Sequence, residues 1–211
     1  MSSSPPTRGS EAWRRVLAAR DWFVDAARAA GPDAPTLCEG WTVRHLVGHL
    51  LTLRDDPVSW PGIALPRLAP LTERRMAVAT VSGFEDALAR LADRSPFMPL
   101  VLDSPRSAWR HHLGEYAVHT EDIVRANPLP PTVLDDATLA ALWRRAAVAA
   151  RQLHRRDGRG LVLAWPSAGL QTRVLPGATT DHVIGTPLEL LVWAHRGPDA
   201  ADVRVVRAPG V

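Results

Sequence analysis

Between Glu11 and Ala30 the apolar residues Trp13, Val16, Leu17, Trp22, Phe23 and Ala27 recur at helical spacing, and Gly31-Pro32 ends the run. The connector PDAPTLCEG has no period. Thr42 then suits an N-cap, with Trp41 before it as a hydrophobic staple, for a helix running to about Arg54. Pro57, Pro61, Pro66 and Pro70 exclude regular helix from the following stretch. Helical spacing resumes from about Thr72 to Asp93, with a break at Ser82-Gly83, and Pro96, Pro99 and Pro105 mark another irregular connection. A long helix is predicted from Arg106 to Ala126, stopped by Asn127-Pro128, and another from Asp135 to Arg156, rich in Ala, Leu and Arg.

After Gly160 the pattern changes. LVLAW, QTRVL and DHVI are short β-prone runs separated by Pro-Ser-Ala-Gly and Pro-Gly-Ala turns. A short helix from Thr186 to His195, with Pro187 in its first turn, precedes a last strand at Val203–Val206. The expected organisation is α+β: a short disordered tail at 1–10, a helical bundle at 11–157 and a small α+β unit at 158–211. A cleft between two such units is a usual ligand site.

Composition narrows the classes. The chain has 211 residues with 25 Lys+Arg against 22 Asp+Glu, a net charge of +3, and every one of those basic residues is arginine. With one Tyr and one Cys, little titrates between neutrality and strong alkali, so the high pI of about 10.2 overstates the field at pH 7. The densest basic stretch, Arg144 to Arg159, closes a helix opened by Asp135 and Asp136, the order the helix macrodipole favours. Neither that stretch nor any phosphate loop argues for nucleic acid. No apolar run reaches membrane-spanning length, and the N-terminus lacks the apolar region of a signal peptide. The expectation is a soluble, cytoplasmic protein with no membrane partner. The single cysteine, Cys38, excludes an internal disulfide or a zinc site built on Cys pairs, and reads as a small packed residue rather than a nucleophile.

The eight histidines concentrate in two places. His45 and His49 stand four apart on one predicted helix; His111, His112 and His119 lie on another, with Glu115 four before His119. Side chains four apart on a helix are neighbours, and a bundle that brings His from one helix to Glu-x3-His of another can grip a metal ion. Spacing alone does not settle it, because an ordinary polar helix face gives the same pattern and His111 is also one turn from Glu115.

Three longer stretches go further. APTLCEGWTVRHLVGHL, GEYAVHTEDI and TPLELLVWAHR, in this order and with about 65 residues between the first two, resemble the mycothiol-dependent maleylpyruvate isomerase family, part of the wider DinB-like metal-binding bundles. The resemblance covers nearly the whole chain and implies a DinB-like up-down bundle followed by the small α+β unit. It also implies a divalent metal, most often zinc, held by His49, Glu115 and His119, with His45 as a support or surface residue. Asp122, one turn beyond His119, either orients a ligand or pairs with an Arg, and an exposed helix Asp is the plain alternative. Arg196 falls where the family carries a terminal Arg and is the candidate partner of a substrate anion. His195 stands there in place of the usual Gly, and an Arg at a helix C-terminus is also expected on dipole grounds.

Two His and one carboxylate leave open coordination positions, as in catalytic sites, and would also suit Fe(II). A thiol beside such an ion ionises at neutral pH. In the resembling family the thiol is that of mycothiol. Addition to an electron-poor double bond gives an isomerase if the thiol is expelled after rotation, and an S-transferase if it is retained. The partners implied are a low-molecular-weight thiol and a small-molecule substrate. The competing classes are a non-catalytic metal- or ligand-binding module of the same fold and a metal-hydroxide hydrolase, and the oligomeric state, a homodimer among the options, stays open. Most of the eight Trp read as core, with Trp60 placed to line a ligand pocket.

Overall fold

The computed structural model describes residues 10–56, 67, 69–93 and 108–209. The expected tail, apart from Ser10, and Trp60 lie outside these residues. The chain divides into two compact units, residues 1–132 and 133–211.

Among the described residues the first unit contains five helices: α1 (Glu11–Ala30), α2 (Val43–Asp55), α3 (Ala69–Ala79), α4 (Phe84–Ala92) and α5 (Ala108–Val124). Ser10 stands at the N-cap position of α1 in an extended conformation, and Gly31, at φ 86°, stops the helix while donating to the Ala27 carbonyl. Positive φ is what glycine permits at little cost, so the Gly-Pro stop acts through its backbone. The helix buries Val16, Ala19, Phe23 and Ala27 on one face, as the periodicity requires. It packs chiefly against α5, while α2 packs on α3 and α4. The break predicted at Ser82-Gly83 is a turn with Gly83 at φ 116°, separating α3 from α4.

Two arginines are buried where the pattern offered only polar positions. Arg20 of α1 donates to the Asp93 carbonyl at 2.8 Å, and Arg54 of α2 donates to the carbonyls of Arg90 and Leu91. Both donate to carbonyls at the C-terminus of α4, where the helix dipole favours positive charge. At the crossing of α2 and α3, Gly48 leaves no room for a side chain: a Cβ there would stand 2.6 Å from the Met76 carbonyl oxygen. The two helix backbones therefore touch one residue before His49.

The second unit comprises α6 (Asp136–His154), β1 (Gly160–Trp165), β2 (Leu170–Leu175), β3 (Thr179–Ile184), α7 (Pro187–Arg196) and β4 (Arg204–Pro209). The sheet order is β2-β1-β3-β4, with β1 and β3 parallel and both outer pairs antiparallel. To place β3 on the far side of β1, the β2–β3 link crosses the start of β1. At that crossing a Cβ on Gly177 would lie 2.0 Å from the Gly160 nitrogen, so two glycines meet. Asp135 caps α6 through the Thr138 N–H, and Thr186 caps α7 through Glu189 N–H.

α6 packs on α7 and β2 and lies within the second of the two compact units, residues 133–211. Its buried face of Ala141, Leu142, Ala146, Ala149 and Ala150 is small and apolar, suited to close approach by either a helix or a sheet. Of the tryptophans, Trp109, Trp165 and Trp193 are buried, while Trp13, Trp22, Trp41 and Trp143 are half-buried. No helix among the described residues is long and apolar enough to cross a membrane.

Candidate metal centre

On α5 the helical period places Glu115 and His119 one above the other, as the spacing alone requires. The tertiary fold supplies His49. Its Nε2 lies 3.5 Å from Glu115 Oε2, the His119 Nε2 lies 3.7 Å from the same oxygen, and the two rings meet edge to face with centroids 4.9 Å apart. Ligands about 2.0–2.1 Å from a tetrahedral ion stand about 3.4 Å from one another, so the observed spacing fits a shared ion. His49 and His119 are buried and Glu115 nearly so. Two imidazoles and a carboxylate turned onto one point form a borderline donor set suited to zinc or Fe(II).

The electrostatics follow from burial and proximity. Burial pushes His49 below the ordinary histidine range, against the opposing pull of its contact with Glu115. Burial alone would raise Glu115, but the imidazoles of His119 and His49 beside it overcome that and hold the carboxyl well below the usual carboxylate range. At His119 burial again opposes the charge, and Asp122, Cys38 and Glu115 together outweigh it and hold the ring well above the ordinary value. The pocket thus keeps a carboxylate ionised in a buried place, which is costly unless cations or donors surround it.

Asp122 is fully buried, and its Oδ2 accepts from His119 Nδ1–H at 2.8 Å. Of the alternatives open for this residue, the structure contains the contact with the histidine and excludes the exposed helix Asp. Cys38 Sγ–H donates to the same Oδ2 at 3.3 Å. The sequence offered no sign of this, because Cys38 sits in the aperiodic connector. That connector is tied down by its own backbone: Leu37 N–H donates to the Asp122 carbonyl at 3.0 Å, Asn127 Nδ2–H to the Pro35 carbonyl at 3.0 Å, and Thr36 Oγ1–H to the Trp41 carbonyl at 2.8 Å. Trp41, at its end, sets its ring 5.5 Å from that of His49.

The other histidines separate from these. His45 is exposed and acts at the helix start, its Nδ1 accepting the Thr42 backbone N–H at 3.0 Å. The Thr42 start is therefore a capping box closed by a histidine. His111 Nε2 lies 3.5 Å from the second oxygen of Glu115, the competition its spacing predicted. His112 is buried 5.9 Å from the Trp13 ring, on another face of α5. Arg196 closes α7 in the second unit, where its Nη1 donates to the His195 carbonyl at 3.3 Å.

A search of curated proteins finds no match. Two solved structures of mycothiol-dependent maleylpyruvate isomerase share the fold. A histidine-to-alanine mutant gives a TM-score of 0.63 at 15% identity, and a second structure gives 0.59 at 14%; each match covers 94% of this chain and 92% of the other. The family described as mycothiol maleylpyruvate isomerase N-terminal domain matches residues 11–124, which include all five of Cys38, His49, Glu115, His119 and Asp122. That match spans more than half of the chain, and the protein belongs to this family.

Proposed function

We propose that the protein is a metal-dependent enzyme that activates mycothiol for addition to a small electrophilic substrate, as an isomerase or an S-transferase. The observation that carries this reading is the convergence of His49 Nε2 and His119 Nε2, from two different helices, on Glu115 Oε2 at 3.5 and 3.7 Å. Three protein donors leave further positions open, the arrangement of catalytic rather than structural ions. A divalent ion there, zinc in our reading, supplies Lewis acidity that favours the thiolate form of a nearby thiol and polarises a carbonyl.

The chain's own residues do the rest. Burial keeps the His49 ring neutral, so that its lone pair is available. Asp122 accepts from the Nδ1–H of His119 and leaves the Nε2 lone pair to face the site, fixing the tautomer and the ring plane. Glu115 brings the negative charge that offsets a dication in a buried place. Trp41 forms an apolar wall beside His49, which limits water around a nucleophile. Arg196 we assign to a substrate carboxylate, since its planar fork can bind one bidentately. The names of the structural relatives make maleylpyruvate the first electrophile to try.

The test is direct. Protein purified without a His-tag should contain close to one equivalent of zinc or iron, and mycothiol should change the visible spectrum of the cobalt-substituted form. Turnover of maleylpyruvate should require mycothiol, and Arg196→Lys should lower it about tenfold or more without loss of metal. Metal-free protein after growth in zinc and iron would end the reading. A cobalt spectrum indifferent to mycothiol would remove the thiol from it.

A further inference from the structure

The donors around His119 form two groups. Toward Nε2 the separations are 3.5 and 3.7 Å, those of ligands around a shared ion. Toward Nδ1 lie Asp122 Oδ2 and Cys38 Sγ, close enough together to be considered as ligands themselves. The decisive distance is the 2.8 Å from Nδ1 to Oδ2, a hydrogen bond too short to span an ion, with Cys38 at 3.3 Å from that same oxygen. The second group is therefore a hydrogen-bonded support for the first.

We infer that Cys38 is a positioning residue for the metal centre: its thiol holds the Asp122 carboxylate in the orientation from which that carboxylate fixes His119. The last torsion of a carboxylate has a broad well. A second donor on the same oxygen narrows it. The backbone explains why Cys38 can do this, since Leu37 N–H donates to the carbonyl of Asp122 itself and clamps the connector to α5 one residue from the thiol. The chain thus binds Asp122 twice, by its main chain and by its side chain, across 84 residues of sequence. Supporting contacts of this kind affect metal affinity through the ligand they orient.

This inference rests on the metal reading above, and the experiment separates the two. Cobalt(II) affinity, by competition with a chromogenic chelator, and the absorption spectrum of the cobalt form are measured for the unaltered protein, Cys38→Ala, Asp122→Ala and the double variant. Circular dichroism of each metal-free protein checks that the helices persist, and Asp122→Asn replaces Asp122→Ala if that variant does not fold. Removing outer-shell partners typically costs about 10–100-fold in affinity, so Asp122→Ala should fall in that range, and Cys38→Ala, acting one bond further out, should lose about 3–10-fold. The double variant should match Asp122→Ala alone, because Cys38 acts through Asp122. Equal affinity of Cys38→Ala and the unaltered protein would overturn the inference. So would full additivity in the double variant. A sulfur-to-cobalt charge-transfer band that Cys38→Ala abolishes would also overturn it, by making Cys38 a ligand. Failure of the unaltered protein to bind cobalt at all would instead remove the metal centre, and this inference with it.

Discussion

His119 stands between two carboxylates, with Nδ1 2.8 Å from Asp122 Oδ2 and Nε2 3.7 Å from Glu115 Oε2. One side chain is thus oriented by the first and aimed at the second. Asp122 lies three residues after His119 and Glu115 four before it, so a single helix supplies two of the three proposed ligands and the carboxylate that orients one of them. Only His49 comes from elsewhere.

Loss of any one ligand should be nearly equivalent to loss of the ion. His49→Ala, Glu115→Ala and His119→Ala should each reduce metal content greatly, while His45→Ala and His112→Ala leave it intact. His111→Ala should have a small effect through Glu115 Oε1. Because the donors converge only in the folded bundle, metal at about 1,000 times its Kd should add about 4 kcal/mol of stability, and chelation should lower the melting temperature by several degrees. Elemental analysis and calorimetry with and without a chelator check both. Equal melting curves would refute the coupling.

Asp122→Asn keeps the shape of the side chain and an oxygen that can still accept from Nδ1–H, but removes the charge. Affinity for zinc should fall about tenfold, the lower end of the range for outer-shell partners. Isothermal titration against a competing chelator measures it, and an unchanged affinity would show that the charge on Asp122 is irrelevant to the ligand.

Gly48→Ala should destabilise the first unit although alanine is the better helix former. The gain in propensity is about 1 kcal/mol, whereas a Cβ 2.6 Å from the Met76 carbonyl oxygen must displace backbone, with overpacking costs of about 1–3 kcal/mol or more. Urea unfolding should show a net loss, together with weaker metal binding because His49 is the next residue. A more stable variant would mean that α2 and α3 do not approach so closely.

Asp181 on β3 is paired with Arg159 at 3.0 Å and Arg207 at 3.1 Å. Desolvation works to raise its pKa, and the two guanidinium groups outweigh it, so the folded value lies below the usual one. A depressed folded value means that the stabilisation is fully present above the unfolded value of about 3.9 and is lost as pH falls through the lower folded value. The pairs are solvent-accessible and screened, so Asp181→Asn should cost no more than about 1 kcal/mol at neutral pH. The difference between variant and unaltered protein should vanish near pH 2 in acid-unfolding curves. A difference that grows as pH falls would contradict the assignment.

Local pattern determined most of the elements. Helical periodicity and its Gly-Pro, Asn-Pro and Thr or Asp punctuation located α1, α2, α5, α6 and α7 within a few residues, because caps and stops act over one turn. The Gly160 and Gly177 positions were legible as turn signals, but their mutual contact was not, since it follows from β3 lying on the far side of β1. The pairing of Glu115 with His119 was likewise local, a matter of 3.6 residues per turn.

What the sequence could not decide is everything that depends on which helix meets which. Residue spacing by itself favours an ordinary polar helix face over a metal site, and only the packing of α2 on the bundle brings His49 to Glu115. The small apolar face of α6 would suit a bundle or a sheet, and the fold gave it to the second unit. Arg20 and Arg54 are buried because the C-terminus of α4 lies against them, a contact that no local pattern shows. Cys38 carried no periodic signal at all. Its hydrogen bond to Asp122 exists because a connector without regular structure is held to α5 by backbone bonds, and such contacts between residues distant in sequence are set by tertiary packing, not by local preference.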